Sequence, residues 1–201
     1  MFWIMISVLL WGLLHSLFAS SRSKEVAQHV FGARIKRTYR LAYNAFACIS
    51  FLPVLVLLFM IPDRTIYTIP FPWAALMVLG EGLAVIALVA GLLQSRPLEF
   101  TGLRQLGSPD DHPAQLKTDG LYRHVRHPLY TAGLAFIWLL PLMTANVLAV
   151  NIALTVYVIA GAYFEEGKLQ VEFGQVYHEY MAATPMFIPF LRRNKTRQDS
   201  S

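Results

Sequence analysis

Three apolar runs, residues 2–19, 43–61 and 73–93, are each long enough to cross a hydrocarbon layer of roughly 30 Å as a helix. A fourth run, residues 129–164, is much longer. At roughly 1.5 Å rise per residue it would extend about 54 Å as one helix, more than the layer can cover, so it must fold back on itself. Pro141, Thr144 and Asn146 mark the turn, because proline removes a backbone donor and polar side chains tolerate the interface. Five spans result: 2–19, 43–61, 73–93, 129–144 and 146–164, the last two forming a helical hairpin. Beyond them, EEGKLQVEFGQVYHEYM sets Leu169, Phe173, Val176, Tyr177 and Tyr180 near one helical face, which predicts a C-terminal amphipathic interfacial helix. The expected fold class is all-α, a polytopic membrane helix bundle. It forms a single integral-membrane domain over residues 1–201 with a flexible tail at 194–201.

Composition agrees with that pattern. With 56% hydrophobic and only 14% charged residues, the chain is too apolar for an ordinary soluble fold. The net charge of +5 needs no nucleic-acid partner, because the basic residues sort by loop. Residues 20–40, 94–127 and the stretch after the fifth span hold all of them except Arg64. Basic residues are retained in the cytoplasm, so the amino terminus is expected outside and the carboxyl terminus inside. The same basic clusters would attract anionic membrane lipids. Met1–Met5 carries no positive charge and the basic cluster follows the first apolar run, so that run reads as a retained helix and not a secretory signal. Cys48 stands alone inside the second span, which excludes a disulfide framework.

Between the third and fourth runs, residues 94–127 are polar. Gly102, Gly107, Pro109 and Pro113, with Asp110 and Asp111, make the early part loop. The chain has no GxGxxG, P-loop, HExxH or paired CxxC motif, so a cofactor site must be built from helix ends. One such end is GLYRHVRHPLY, residues 120–130. Pro128 suits the first turn of a helix, which puts His127 at the N-cap and Tyr130 within the first turn, near the positive end of the dipole. Arg123 and Arg126 beside them also read as cytoplasmic anchors. A second candidate is the pair Glu165 and Glu166, expected at the C-terminal end of the fifth span. There the helix dipole disfavours them, so Arg123, Arg126, Lys168 or a cationic ligand should compensate. A third is Glu81, between Gly80 and Gly82 at bilayer depth, and with it His15, as candidates to line a substrate cavity. The histidines and glutamates offer no compact metal-ligand set, so no metal site is assigned.

The order GLYRHVRHPLYTAG, a hydrophobic hairpin, EEGKL, FGQVYHEY and TPMFIP resembles the integral-membrane isoprenylcysteine carboxyl methyltransferase and phospholipid methyltransferase superfamily over residues 114–190. The N-terminal HSLFASSRSK and YRLAYN look more like the bacterial methanethiol S-methyltransferases and a group of denitrification-associated membrane proteins. The resemblance implies an S-adenosylmethionine-dependent enzyme of the bacterial inner membrane acting on a small or lipid-soluble acceptor. By position, Gln115, Leu116, Lys117, Tyr122, His127, Pro128, Leu129, Tyr130 and Glu165 would contact the cofactor, and His127 and Tyr130 would serve catalysis. In the prenylcysteine enzymes an arginine one turn before the first glutamate is associated with the substrate carboxylate. Here that position is Gly161, so a thiol is favoured over a carboxylate acceptor. Two alternatives remain at this stage. One is an NADPH-dependent membrane reductase, since related sterol reductases carry an RHPxY-like loop; the other is a non-catalytic membrane protein that binds a ligand.

Overall fold

The computed structural model describes residues 1–32, 35–94 and 115–189. Gly102, Gly107, Pro109, Asp110, Asp111, His112, Pro113 and the tail 194–201 lie outside the described residues. The helices are α1 (Phe2–Ala19), α2 (Ser21–Phe31), α3 (Ile35–Met60), α4 (Trp73–Gln94), α5 (Pro128–Trp138), α6 (Ala145–Phe173) and α7 (Gln175–Ala183). Two short strands, β1 (Thr65–Thr68) and β2 (Leu142–Thr144), pair antiparallel with Thr65 opposite Thr144. Among the described residues four helices, α1, α3, α4 and α6, are long and apolar enough to cross a membrane, and the protein is an all-α membrane helix bundle.

The fourth run folds differently from the expected pair of spans. Helix α5 has only 11 residues, about 16 Å of rise, which alone cannot span the hydrocarbon. It lies antiparallel to α4, with Leu129 against Gly91 and Leu139 against Gly80. The chain then leaves the helix at Leu139 and reaches β2 at Leu142. Backbone groups leave the helical ladder there and need partners, because none are available in lipid. They find them within the protein. Asn151 Nδ2 donates to the Ile137 carbonyl at 2.6 Å, the Tyr67 hydroxyl to that of Leu140 at 3.3 Å, and Ile69 N to that of Pro141 at 2.8 Å. The loop at 62–72 is therefore tied to the turn of the hairpin, since its strand β1 pairs with β2.

Helix α6 also departs from the expected boundary at 164. It starts at the turn as predicted, where the Thr144 side chain accepts from Val147 N. It then continues through Phe173, 29 residues in all, about 44 Å, so its last turns project beyond the hydrocarbon. Leu, Gln, Glu and Lys in that extension are good helix formers. The break comes at Gly174, whose φ of +54° is open to glycine at low cost. The expected single amphipathic helix is thus two pieces, the end of α6 and the separate α7. Val176 is exposed while Tyr177 is buried.

Ile4, Val8, Val54, Ala149, Val150 and Ala153 form the buried core where α1, α3 and α6 meet. Most large apolar side chains face outward instead, Phe59 and Phe164 among them. In a hydrocarbon solvent this carries no penalty, and small residues such as the alanines of α6 let helices approach closely.

A carboxylate and imidazole cluster at one end of the bundle

Gln94, the last residue of α4, shapes the approach to the candidate site. Its side-chain oxygen accepts from Leu121 N at 3.1 Å and its carbonyl accepts from Lys117 Nζ. A 3-10 turn follows at Gly120–Arg123, then α5 starts on Pro128 with His127 at the N-cap. The His127 side chain does not cap the helix. It faces α6.

Residues 184–187 strap this entry in place. Pro185 O accepts from Arg126 N at 2.9 Å and Met186 O from His127 N at 3.2 Å. The Thr131 hydroxyl sits between the carbonyls of His127 (3.0 Å) and Phe187 (2.9 Å). Tyr180 of α7 donates to the Tyr122 carbonyl at 2.6 Å. The C-terminal segment therefore closes over the start of α5.

Inside that closure the two glutamates have different surroundings. Glu166 is 4% exposed and takes two hydrogen bonds from Arg126, from Nε at 2.6 Å and Nη2 at 3.1 Å, with His127 Nε2 3.1 Å from the same carboxylate. Arg126 Nη1 donates to the carbonyls of Met181 (3.2 Å) and Thr184 (2.5 Å). This paired geometry compensates both buried charges. Glu165, with its side chain 47% exposed, accepts from the Tyr130 hydroxyl at 3.0 Å and stands 3.7 Å from His127 Nδ1. His127 and Tyr130 stack nearly parallel, 5.3 Å between centroids, with Phe187 5.8 Å from the imidazole. The expectation that the glutamates sit at an unfavourable helix end is corrected, because α6 runs on for two further turns. Of the basic partners considered, Arg126 is the one bonded to Glu166.

Tyr177 is 1% exposed and its hydroxyl meets no acceptable hydrogen-bond geometry among the described residues. Burial, reinforced by the nearby Glu166 carboxylate, pushes its pKa up to about 12. It packs edge-on against Tyr180, whose hydroxyl burial likewise pushes up.

Among the residues singled out from the sequence, the fold gathers His127, Pro128, Tyr130 and Glu165, with the Tyr122 carbonyl held by α7. Leu129 instead packs against α4 at Gly91, and Lys117 is occupied with Gln94. Gln115 is exposed and Leu116 half-buried. Glu81 lies ten residues from Gly91 along α4, about 15 Å from where Leu129 packs. It does not line the apolar cleft of about 320 Å³ between α4 and α5, which its neighbours Gly80, Leu83 and Ala84 border with His124 and Thr131. His15 belongs to a separate cluster of α1, α3 and α6. The structure adds Arg126, Glu166, Thr131, Tyr180 and Phe187. Glu166 is buried one turn after buried Ala162 on α6, and the sequence carries no spacing signal that separates it from Glu165.

The phospholipid methyltransferase family matches residues 75–176, about half of the chain. Three relatives are each named methanethiol S-methyltransferase. The one from Pseudomonas deceptionensis is 31% identical over 96% of this chain and 74% of its own length; that from a Pseudomonas sp. is 36% identical over 72% and 58%. The Crocosphaera subtropica protein is 33% identical over 53% of this chain and 43% of its own. The chain thus spans about half the length of two of these three curated relatives. No solved structure matches. The fold is that of a membrane helix bundle, and the chain belongs to the phospholipid methyltransferase family.

Proposed function

We propose that the protein is a membrane methyltransferase that uses S-adenosylmethionine and methylates a small thiol. The observation that carries this reading is the division of labour between the adjacent glutamates. Glu166 is saturated by Arg126 and His127, whereas Glu165 is half exposed and borders two stacked rings. A carboxylate with accepting capacity beside aromatic faces suits a ligand that carries a sulfonium charge and polar donor groups. The names of the relatives support a thiol acceptor, as does Gly161 in place of a cation.

When bound, the cofactor supplies an activated methyl group. The protein's own contributions are alignment and exclusion of water. The Arg126–Glu166 pair ties the start of α5 to α6, which fixes the spacing of Tyr130 and Glu165. Glu165 accepts polar groups of the ligand while Tyr130 and His127 present ring faces to positive charge. The strap at 184–187 and α7 cover the site, and such alignment can contribute several kcal/mol through effective molarity, about 7 to 11 in well-oriented systems. In this reading the cluster lies on the cytoplasmic side with the amino terminus opposite, as the basic loops imply.

Calorimetric titration of the detergent-solubilised chain tests the reading. S-adenosylmethionine should bind, NADPH should not, and Glu165→Ala should weaken binding at least 10-fold without changing the melting profile. Transfer of labelled methyl to methanethiol should follow. Binding unchanged in Glu165→Ala would remove this site from the proposal.

A further inference from the structure

A second polar cluster lies in the part of the bundle built by the N-terminal helices. Trp11 and His15, one turn apart on α1, meet Tyr43 of α3 and Tyr157 of α6. The Tyr43 hydroxyl is 2.5 Å from His15 Nε2, Trp11 stacks on the imidazole at 5.1 Å, and Tyr157 stands edge-on at 6.2 Å. The cluster is tightly drawn together, since a Cβ on Gly12 would lie 2.6 Å from the Tyr157 ring. Its other polar atoms are occupied: Trp11 Nε1 donates to the Ala47 carbonyl at 3.1 Å, and the Ser16 and Tyr157 hydroxyls are 3.1 Å apart. His15 Nδ1 is the exception, buried with no hydrogen-bond partner among the described residues. A purely structural imidazole at membrane depth would satisfy both nitrogens.

This cluster is connected to the cofactor-facing glutamate. Tyr157, Gly161 and Glu165 follow one another at four-residue spacing on a single face of α6. Between the two outer residues there is room, because half-buried Gly161 has no atom within 4 Å of where a Cβ would stand. The Tyr130 hydroxyl donates to Glu165 at 3.0 Å. Three aromatic rings around a buried, unpartnered imidazole nitrogen suit a small, polarizable sulfur compound.

We propose that this cluster receives the thiol acceptor and that His15 Nδ1 takes its proton, an inference that rests on the thiol methyltransferase reading above. With Nε2–H donating to the Tyr43 oxygen, Nδ1 carries a bare lone pair. The S–H bond breaks towards Nδ1 and its electron pair stays on sulfur. That sulfur forms the new S–CH3 bond as the methyl–sulfonium bond of the donor opens, the pair remaining on the departing thioether. The proton leaves later from His15 to water. The family match begins at residue 75, so α1 and α3 lie outside it, while the Pseudomonas deceptionensis relative aligns over 96% of the chain. Acceptor recognition is thus assigned to the N-terminal helices and donor binding to the C-terminal half.

The test compares wild type, His15→Gln and Tyr43→Phe with ethanethiol and with the far more acidic thiophenol. His15→Gln should lower kcat/KM for ethanethiol about 100-fold, the usual scale for loss of a general base. It should lower that for thiophenol, already ionised, less than about 5-fold, and leave S-adenosylmethionine affinity unchanged as the folding control. In donor-free wild type, 15N NMR should show an unprotonated Nδ1 signal, absent from His15→Gln, that shifts on addition of ethanethiol. Tyr43→Phe, which keeps the imidazole, should fall between the two for ethanethiol, and it carries the comparison if His15→Gln fails to fold. Equal losses for both thiols, or no shift of the imidazole signal, would overturn this inference while leaving the proposed function intact. A wild type that binds S-adenosylmethionine but methylates neither thiol would remove both.

Discussion

Removal of Glu166 should destabilise the closure over the start of α5 far more than removal of Glu165, although the two are neighbours in sequence. The Arg126 and Glu166 side chains are 10% and 6% exposed and joined by two hydrogen bonds. Breaking such a buried pair from one side typically costs about 3 to 5 kcal/mol, because the remaining charge stays buried. Here Arg126 keeps the carbonyls of Met181 and Thr184, which favours the lower end, about 3 kcal/mol for Glu166→Leu. The reverse deletion, Arg126→Met, leaves a carboxylate with only His127 beside it and should cost somewhat more. Replacing both at once removes both buried charges, and an apolar pair of similar volume is often neutral or better. The double variant should therefore be more stable than either single one, with a coupling of roughly 2 kcal/mol or more. Equilibrium unfolding of the solubilised chain, with limited proteolysis of residues 174–189 as the local readout, measures all four corners of the cycle. Additive losses, or single losses below about 1 kcal/mol as for an exposed surface pair, would refute the claim that this bond holds the site together.

Other outcomes follow from the same geometry. Tyr180→Phe loses the hydroxyl that donates to the Tyr122 carbonyl, so α7 should exchange amide hydrogens faster and stability should fall by about 1 kcal/mol. Tyr177→Phe removes a buried hydroxyl that has no hydrogen-bond partner among the described residues, and should be neutral or slightly stabilising in thermal melts. The Tyr177 pKa is raised to about 12 in the folded protein against an unfolded value of 10.0. Its contribution is therefore complete below pH 10 and is lost as the pH rises towards 12. The alkaline limb of the stability curve should be shallower in Tyr177→Phe, with phenolate absorbance as the monitor. Asn151→Leu strips the Ile137 carbonyl of its 2.6 Å donor at the end of α5, and should cost about 1 kcal/mol in detergent unfolding.

The spans α1 and α4 were legible because a continuous apolar stretch of that length has one economical fate in a bilayer. The turn at Pro141 to Asn146 was equally legible. What hydropathy could not convey was that the helix before it stops at Trp138, because that stop depends on Asn151, Tyr67 and Ile69, side chains and backbone far away in the chain. Strand β1 is four residues long and pairs with β2 across more than 70 positions, so nothing local announces it. The run of α6 to Phe173 escaped for another reason: hydropathy marks where lipid ends, and a helix of good formers need not end there. The sequence singled out His127, Pro128, Tyr130 and the paired glutamates, which the fold brings together. Its spacing rules could not show that residues 184–187 return to bond Arg126 and His127.

The two adjacent glutamates carry the argument from fold to chemistry. Successive residues on a helix point about 100° apart, so Glu165 and Glu166 cannot both face the same neighbour. Glu166 faces inward one turn after buried Ala162, where Arg126, itself tied to two carbonyls, and His127 occupy its carboxylate. That leaves Glu165 turned towards Tyr130, on the face that also carries Gly161 and Tyr157. A single helix thus divides its surface between a sealed ion pair that holds the start of α5 and an accessible carboxylate next to open space. An open rim alone would lack a fixed partner helix, and a sealed pair alone would offer a ligand nothing. On this reasoning, exchanging the two roles by moving the partner of Arg126 one position along α6, in Glu166→Leu, cannot be rescued by Glu165, even though a carboxylate remains one residue away.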